Sequence, residues 1–343
     1  MAPLVEGRPL AMLALARQLR AVGLDDHALE LAARALALEP GDGEVRTLAS
    51  EVLSNGVPDW HFGIVRDDLR NRAYEEALRR AVFPGCAVLE IGTGSGLLAM
   101  MAARAGAARV ITCEADPAVA MTARAIIAAN GLADRIVVLN KHSSAVDAAI
   151  DMGGRADILV SEIVSNDMIS QGTLPSHEHA VPHLIKPGAA VIPARGRIRI
   201  ALAEDKGGDR RRLTTVAGFD LALFNRLARP YREIAVENPQ LTLRSAPADI
   251  FDFDFASGGP WPDRRGERTL VSSGGRINGI IQWIALAMDD LGLYENRPEP
   301  DAISCWAGIF WPFASPIDSL AGDEITIGAR HETDRIRFWR VGH

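Results

Sequence analysis

Three glycines at alternate positions, Gly92, Gly94 and Gly96, follow the apolar run Val88-Leu89-Glu90-Ile91 and precede a second apolar pattern that starts at Leu97. Glycine accepts φ > 0 and lets a ligand lie against bare main chain. A strand, a tight turn carrying Thr93 and a helix start therefore predict a nucleotide cradle. Eighteen residues after Gly96, Glu114 closes the apolar run Val110-Ile111-Thr112-Cys113. A carboxylate at that place suits the two hydroxyls of a ribose. A dinucleotide would call for Gly-x-Gly-x-x-Gly, which sets a pyrophosphate over the helix N-terminus; the spacing here argues against one. The residues alone leave open a plain turn between strand and helix. Arg70 is a planar fork matched to a carboxylate, although by itself it also reads as part of a solvated helix face.

These groups need a scaffold, and the pattern along the chain supplies one. Strands are predicted near 86–91, 109–113, 136–140 and 157–161, with helices near 97–105 and 117–130. Such alternation predicts a doubly wound, mostly parallel α/β sheet whose ligands sit beyond the carboxyl ends of the strands. Gly92, Glu114, Lys141-His142-Ser143 and Ser161-Glu162 all fall at those ends. From about residue 195 the helices disappear. Period-2 alternation at 197–202, 241–243, 250–255 and 280–286 predicts an antiparallel sheet or barrel, and the run 207–212 reads as an exposed turn. Residues 8–55 carry three helical apolar patterns, broken at Gly23 and at Pro40-Gly41. The turn cluster Ser54-Asn55-Gly56-Val57-Pro58 marks a boundary. Three units follow: a helical segment at 1–55, a cofactor domain at 56–194 and a substrate and dimerisation domain at 195–343.

The glycine turn resembles motif I of the S-adenosylmethionine-dependent methyltransferases. Residues 60–74 resemble the N-terminal active-site helices of the protein arginine methyltransferases. The stretch from Ser161-Glu162 through Gln171 to Leu174-Pro175-Ser176-His177-Glu178-His179-Ala180 resembles their double-glutamate loop, closest to the monomethylating branch. The resemblance implies a methyltransferase domain followed by a β-barrel, with S-adenosylmethionine as cofactor and arginine in a protein or peptide as substrate. It implies that Arg70 grips the methionine carboxylate, Glu114 the ribose, and that His142, Ser143 and Ser144 border the adenine. Glu162 borders both cofactor and substrate and is the first clamp carboxylate. The second position is Gln171, whose amide donor faces a donor-only guanidinium. Asp167 or Glu178 is an alternative source of charge, and a substrate other than a standard arginine, such as a small guanidino compound, is the rival reading, as is a binding protein with weakened activity. Trp306 is the expected stacking partner of the substrate arginine. Cys305 stands where the family usually has a histidine paired with the acid at Asp67. Val216-Ala217-Gly218-Phe219-Asp220 resembles the segment around the family's dimerisation arm and implies a homodimer. The helical segment with Leu38-Glu39-Pro40-Gly41-Asp42 resembles one tetratricopeptide repeat and part of a second, which implies a docking surface or a collar on the main domain.

Composition narrows the classes. The chain has 343 residues and a formal net charge of −7, which offers no footprint for nucleic acid. No apolar run approaches the ~20 residues of a membrane span, and the first six residues lack a secretory signal pattern, so a cytoplasmic protein is expected. Three cysteines without Cys-x-x-Cys spacing argue against a disulfide framework and a zinc site. His177, His179 and His183 with Glu178 read as surface residues rather than metal ligands, since methyl transfer needs no metal.

Overall fold

A computed structural model describes residues 5–209 and 212–342. Met1 to Leu4 of the N-terminal pattern, and Arg210 and Arg211 of the expected turn, lie outside the described residues. The N-terminal patterns form α1 (Pro9–Ala21), α2 (Asp25–Leu38) and α3 (Gly43–Leu53). Asp42 caps α3 by accepting the Val45 N–H at 2.9 Å. Met12, Leu13, Ala28, Ala32, Val45 and Ala49 pack into a core separate from that of the rest of the chain.

The short helix α4 (Trp60–Val65) and the longer α5 (Asp68–Ala81) lead into the α/β layer. Asp67 caps α5 through the Arg70 N–H at 2.9 Å, and Arg79 and Arg80 sit in its last turn, where the helix dipole favours cations. Then follow β1 (Ala87–Ile91), α6 (Leu97–Ala105), β2 (Arg109–Cys113), α7 (Pro117–Ala129), β3 (Ile136–Leu139), β4 (Ala156–Ser161), α8 (Thr173–His183) and β5 (Ile185–Ile192). The five strands are parallel, in the order β3-β2-β1-β4-β5. The order reverses between β1 and β4, so their carboxyl ends open a crevice there. The α2 helix also packs on α7. The sequence pattern missed β5, because Pro187-Gly188 interrupts it; β5 is an edge strand, where a missing N–H is tolerated.

One histidine expectation is overturned. His177 is fully buried, stacked on Phe255 at 4.7 Å, with its Nδ1 2.7 Å from the Thr173 carbonyl and its Nε2 3.0 Å from Ser161 Oγ. A neutral ring satisfies both contacts, Nδ1 donating to the carbonyl and Nε2 accepting from the hydroxyl, and burial favours that form, lowering its pKa to about 4.

The remaining chain forms β6 (Arg195–Asp205), the small pair β7 (Thr215–Val216) and β8 (Phe219–Asp220), then β9 (Arg232–Ile234), β10 (Leu241–Leu243), β11 (Ala248–Asp254), β12 (Arg264–Ala287), β13 (Leu293–Glu295), β14 (Gly308–His331) and β15 (Ile336–Arg340). Eight of these build an antiparallel sheet with the path β10-β6-β12-β14-β15, while β11 pairs with β6, β13 with β12 and β9 with β14. The pairings trace an open path among the described residues rather than a closed ring of strands. Buried side chains of both sheets and their connections, among them Met168, Ile198, Phe255, Ile284 and Trp306, belong to one continuous core. The two sheets are therefore fixed against each other, and the crevice of the first faces a wall built by the second.

Candidate active site

A cavity of about 640 Å³ opens at the carboxyl ends of β1 and β4, ample for a nucleoside with a side chain attached. Its floor is the glycine turn. Gly92, Gly94 and Gly96 have φ of 85°, 51° and 80°, all in the left-handed region. A Cβ at Gly92 would stand 2.7 Å from Ile163 Cγ2, so that glycine is required by packing. A Cβ at Gly94 would meet nothing within 4 Å, so its bare face is open floor of the cavity. Thr93 is buried and shares a 2.6 Å hydrogen bond with Thr112, which ties the turn to β2.

Glu114 is held in place by its own carboxylate. Oε2 accepts the Gly94 N–H at 3.1 Å and Oε1 accepts the Asp116 N–H at 3.0 Å. Each oxygen keeps a further lone pair for a ribose hydroxyl. Beyond β3, Lys141, His142 and Ser143 line the cavity. Ser144 does not; it is exposed and its Oγ lies 2.8 Å from His142 Nδ1. Pro58 and, from α4, Trp60, His61, Ile64 and Val65 cover the opposite side. The Trp60 and His61 rings stack at 3.9 Å.

At the deep end three ionisable groups converge. Arg70 Nη2 donates to Glu162 Oε2 at 2.7 Å, and both side chains are about 95% buried, with relative exposures of 4% and 6%. Arg70 Nη1 donates to Asn71 Oδ1 at 2.7 Å and its guanidinium lies 5.1 Å from the Tyr74 ring centroid. Three buried polar atoms at this end have no partner among the described residues: Arg70 Nε, Glu162 Oε1 and Glu90 Oε2. Burial raises the Glu162 carboxyl above the ordinary range, against the pull of Arg70. Burial likewise pushes Glu90 up to about 8, opposed by the Thr112 hydroxyl and Arg70. An unpaired guanidinium nitrogen beside an unpaired carboxyl fits the carboxylate and ammonium of an amino acid. Glu90 was legible only as part of the strand before the turn.

The substrate side is joined to α5 through Asp67. Its Oδ2 accepts the Tyr294 hydroxyl at 2.8 Å and the Cys305 N–H at 2.9 Å. Cys305 thus supplies a backbone donor, and its thiol, raised by burial, stays protonated. Trp306 is buried and lines the cavity, its Nε1 donating to the Val164 carbonyl at 3.0 Å. Asn166 Oδ1 accepts the Ala307 N–H at 2.9 Å and locks the loop after β4 to this wall.

Of the expected substrate residues, Glu162, Asp167, Gln171 and Trp306 all line the cavity. Asp167 Oδ1 accepts from Ser165 Oγ, Ile169 N and Ser170 N, so that oxygen holds its own loop. Gln171 is exposed at the rim. Glu178 lies elsewhere: its Oε1 accepts the Trp261 N–H at 2.9 Å.

A glycine floor, a ribose acid, an amino-acid end and a carboxylate beside them define an S-adenosylmethionine-dependent methyltransferase. Residues 74–191 match the family model described as ribosomal protein L11 methyltransferase (PrmA). The chain is 36% identical over 280 residues to an arginine N(omega)-methyltransferase of Streptomyces achromogenes subsp. streptozoticus, covering 81% of this chain and 77% of that one. It is 31% identical over 263 residues to protein arginine N-methyltransferase 7 of Drosophila grimshawi, covering 71% of this chain but only 37% of the relative's length. Its fold matches the Trypanosoma brucei PRMT1 enzyme–prozyme heterotetrameric complex with AdoHcy at a TM-score of 0.72 and 20% identity, over 84% of this chain and all of that one. It matches protein arginine methyltransferase 10 of Arabidopsis thaliana at 0.67 and 18%, over 81% of this chain and 95% of that one. The chain belongs to the arginine N-methyltransferase family.

Proposed function

We propose that the protein transfers a methyl group from S-adenosylmethionine to a guanidino nitrogen of arginine within a protein or peptide, adding one methyl. The observation that carries this reading is Glu162: one buried oxygen is held by Arg70 and the other is left unpaired in the cavity that Trp306 also lines. Bound S-adenosylmethionine supplies an electrophilic methyl on a sulfonium. Arg70 Nε and Glu90 hold the amino-acid end, Gly94 and Glu114 the ribose, and Ser143 with His142 the adenine side. Glu162 Oε1 accepts a guanidinium N–H and orients the nitrogen for in-line attack. Methylation would leave that nitrogen with a proton to lose, and the raised Glu162 carboxyl would be suited to receive it. Trp306 confines the planar cation.

A peptide rather than a free amino acid is favoured because the described residues on the substrate wall include acids but no Arg or Lys for an α-carboxylate. The competing reading, a small guanidino substrate, rests on Gln171 and on a 36% identical relative whose name lacks the word protein. Labelled S-adenosylmethionine, offered with lysate proteins and in parallel with free arginine, separates the two by mass spectrometry. Methylarginine in proteins supports the proposal; label confined to free arginine or to another metabolite overturns it.

A homodimer belongs to the same proposal. The segment from β7 to residue 227 exposes Phe219, Leu223, Phe224 and Leu227, each more than 60% accessible, an apolar strip suited to a second copy. Light scattering that finds a strict monomer at micromolar concentration would refute this. The helices α1–α3 are read as a tetratricopeptide-like surface for a protein partner, supported by their separate core.

A further inference from the structure

The cavity holds a charge that the substrate loop does not provide. Gln171 occupies the second clamp position and makes no hydrogen bond among the described residues. Glu178 is turned to Trp261 and one Asp167 oxygen is taken by its own loop. Across the cavity, the antiparallel sheet brings a carboxylate of its own. Tyr231 and Glu233 both line the cavity, as do Trp306 and Ile309. Glu233 pairs in register with Ile309 along β9 and β14. Alternation along the strand turns Arg232 to the other face, where it donates to Asp205 and to the Gly208 carbonyl and packs 5.0 Å from the Phe310 ring. That anchor fixes which face Glu233 presents. Glu233 is exposed at the cavity, and its carboxylate has no ion pair or hydrogen bond among the described residues.

We infer that Glu233 supplies the second negative charge of the arginine clamp, in place of the carboxylate absent at Gln171, and acts as a substrate-binding residue contributed by the antiparallel sheet. The inference rests on arginine being the substrate. Glu162 binds the guanidinium from the deep side, and Glu233 attracts it from the open side. An open-side carboxylate is partly screened, so it acts mainly on capture of the cation rather than on the chemical step. A guanidinium donates from both of its edges, so carboxylates on two walls can be engaged together.

The test uses the full chain loaded with S-adenosylhomocysteine for binding, and with S-adenosylmethionine for turnover, against an arginine peptide. Glu233→Gln is expected to weaken peptide binding and raise KM by roughly five- to tenfold, with kcat and S-adenosylhomocysteine affinity close to wild type. Glu233→Asp should retain most of the affinity, and Gln171→Glu added to Glu233→Gln should recover it. If wild type binds and methylates the peptide while Glu233→Gln stays within about twofold of its KM, Glu233 plays no such part and the arginine reading stands. If wild type neither binds nor methylates any arginine probe, the arginine reading fails and this inference falls with it.

Discussion

Arg70 and Glu162 face each other at 2.7 Å, both nearly fully buried, yet each keeps one polar atom unpaired. Their side chains come from α5 and from the end of β4, so the ion pair is a junction between two ligand sites. Glu162 Oε2 holds Arg70 and Oε1 is unpaired; in the proposed function the first contact serves the cofactor and the second atom the substrate.

Glu162→Gln keeps the shape but replaces one acceptor with an amide donor that opposes a guanidinium. The expected result is a fall in kcat of about 10²–10³-fold, with S-adenosylhomocysteine binding by calorimetry little changed. Activity near wild type would remove Glu162 from the transition state.

Arg70→Lys retains charge but loses the fork. Cofactor affinity should fall by roughly tenfold or more. Arg70→Ala also strands Glu162 in its buried position, at a cost of about 3–5 kcal/mol in stability. Calorimetry for the first and chemical unfolding for both would check this. Equal cofactor affinity in the lysine variant contradicts the assignment.

Glu90 gives a pH signature. An unfolded glutamate releases its proton near 4.5, whereas burial holds the folded carboxyl up to about 8. Between those values the native state keeps a proton that the unfolded chain has lost, so this group's contribution to stability falls as pH rises, and its penalty is complete above pH 8. Glu90→Gln removes the titration. Its stability relative to wild type should therefore climb from pH 5 to pH 8 and then level off, read as the difference in melting temperature without cofactor. A difference independent of pH would mean that Glu90 is charged in the native state.

Tyr294→Phe deletes the hydroxyl that reaches Asp67 and lies 2.8 Å from Ser304 Oγ. Leaving the buried Asp67 oxygen with one donor fewer should cost about 1–3 kcal/mol in chemical unfolding and raise the peptide KM. An unchanged midpoint would show the bond to be idle.

The glycine turn and Glu114 were legible because their information is local: a strand end, a fixed spacing and an acid. Arg70, Glu162 and Trp306 lie far apart in sequence, and family resemblance rather than periodicity joined them. The first half of β12 was hidden by its charges and by Gly274-Gly275, and β14 by Pro312 and Pro316; mutual pairing makes both into strands. Glu233 and the contact between Asp67 and Tyr294 left no local trace, since each depends on the docking of two sheets. His177 looked like a surface residue among polar neighbours, but α8 turns it onto Phe255.

The cap of α5 has a thermodynamic consequence. Asp67 gives one oxygen to the helix that carries Arg70 and the other to the wall that carries Trp306. Tyr74, one turn further along, donates its hydroxyl to the Ser161 carbonyl at 3.0 Å, next to Glu162. If Arg70 and Trp306 serve as proposed, cofactor that settles α5 also settles the wall against which arginine binds. Linkage makes the effect mutual: each ligand strengthens the hold on the other by the same factor. On that reading the empty protein is the weaker binder of either ligand, and each holds best when the other is in place.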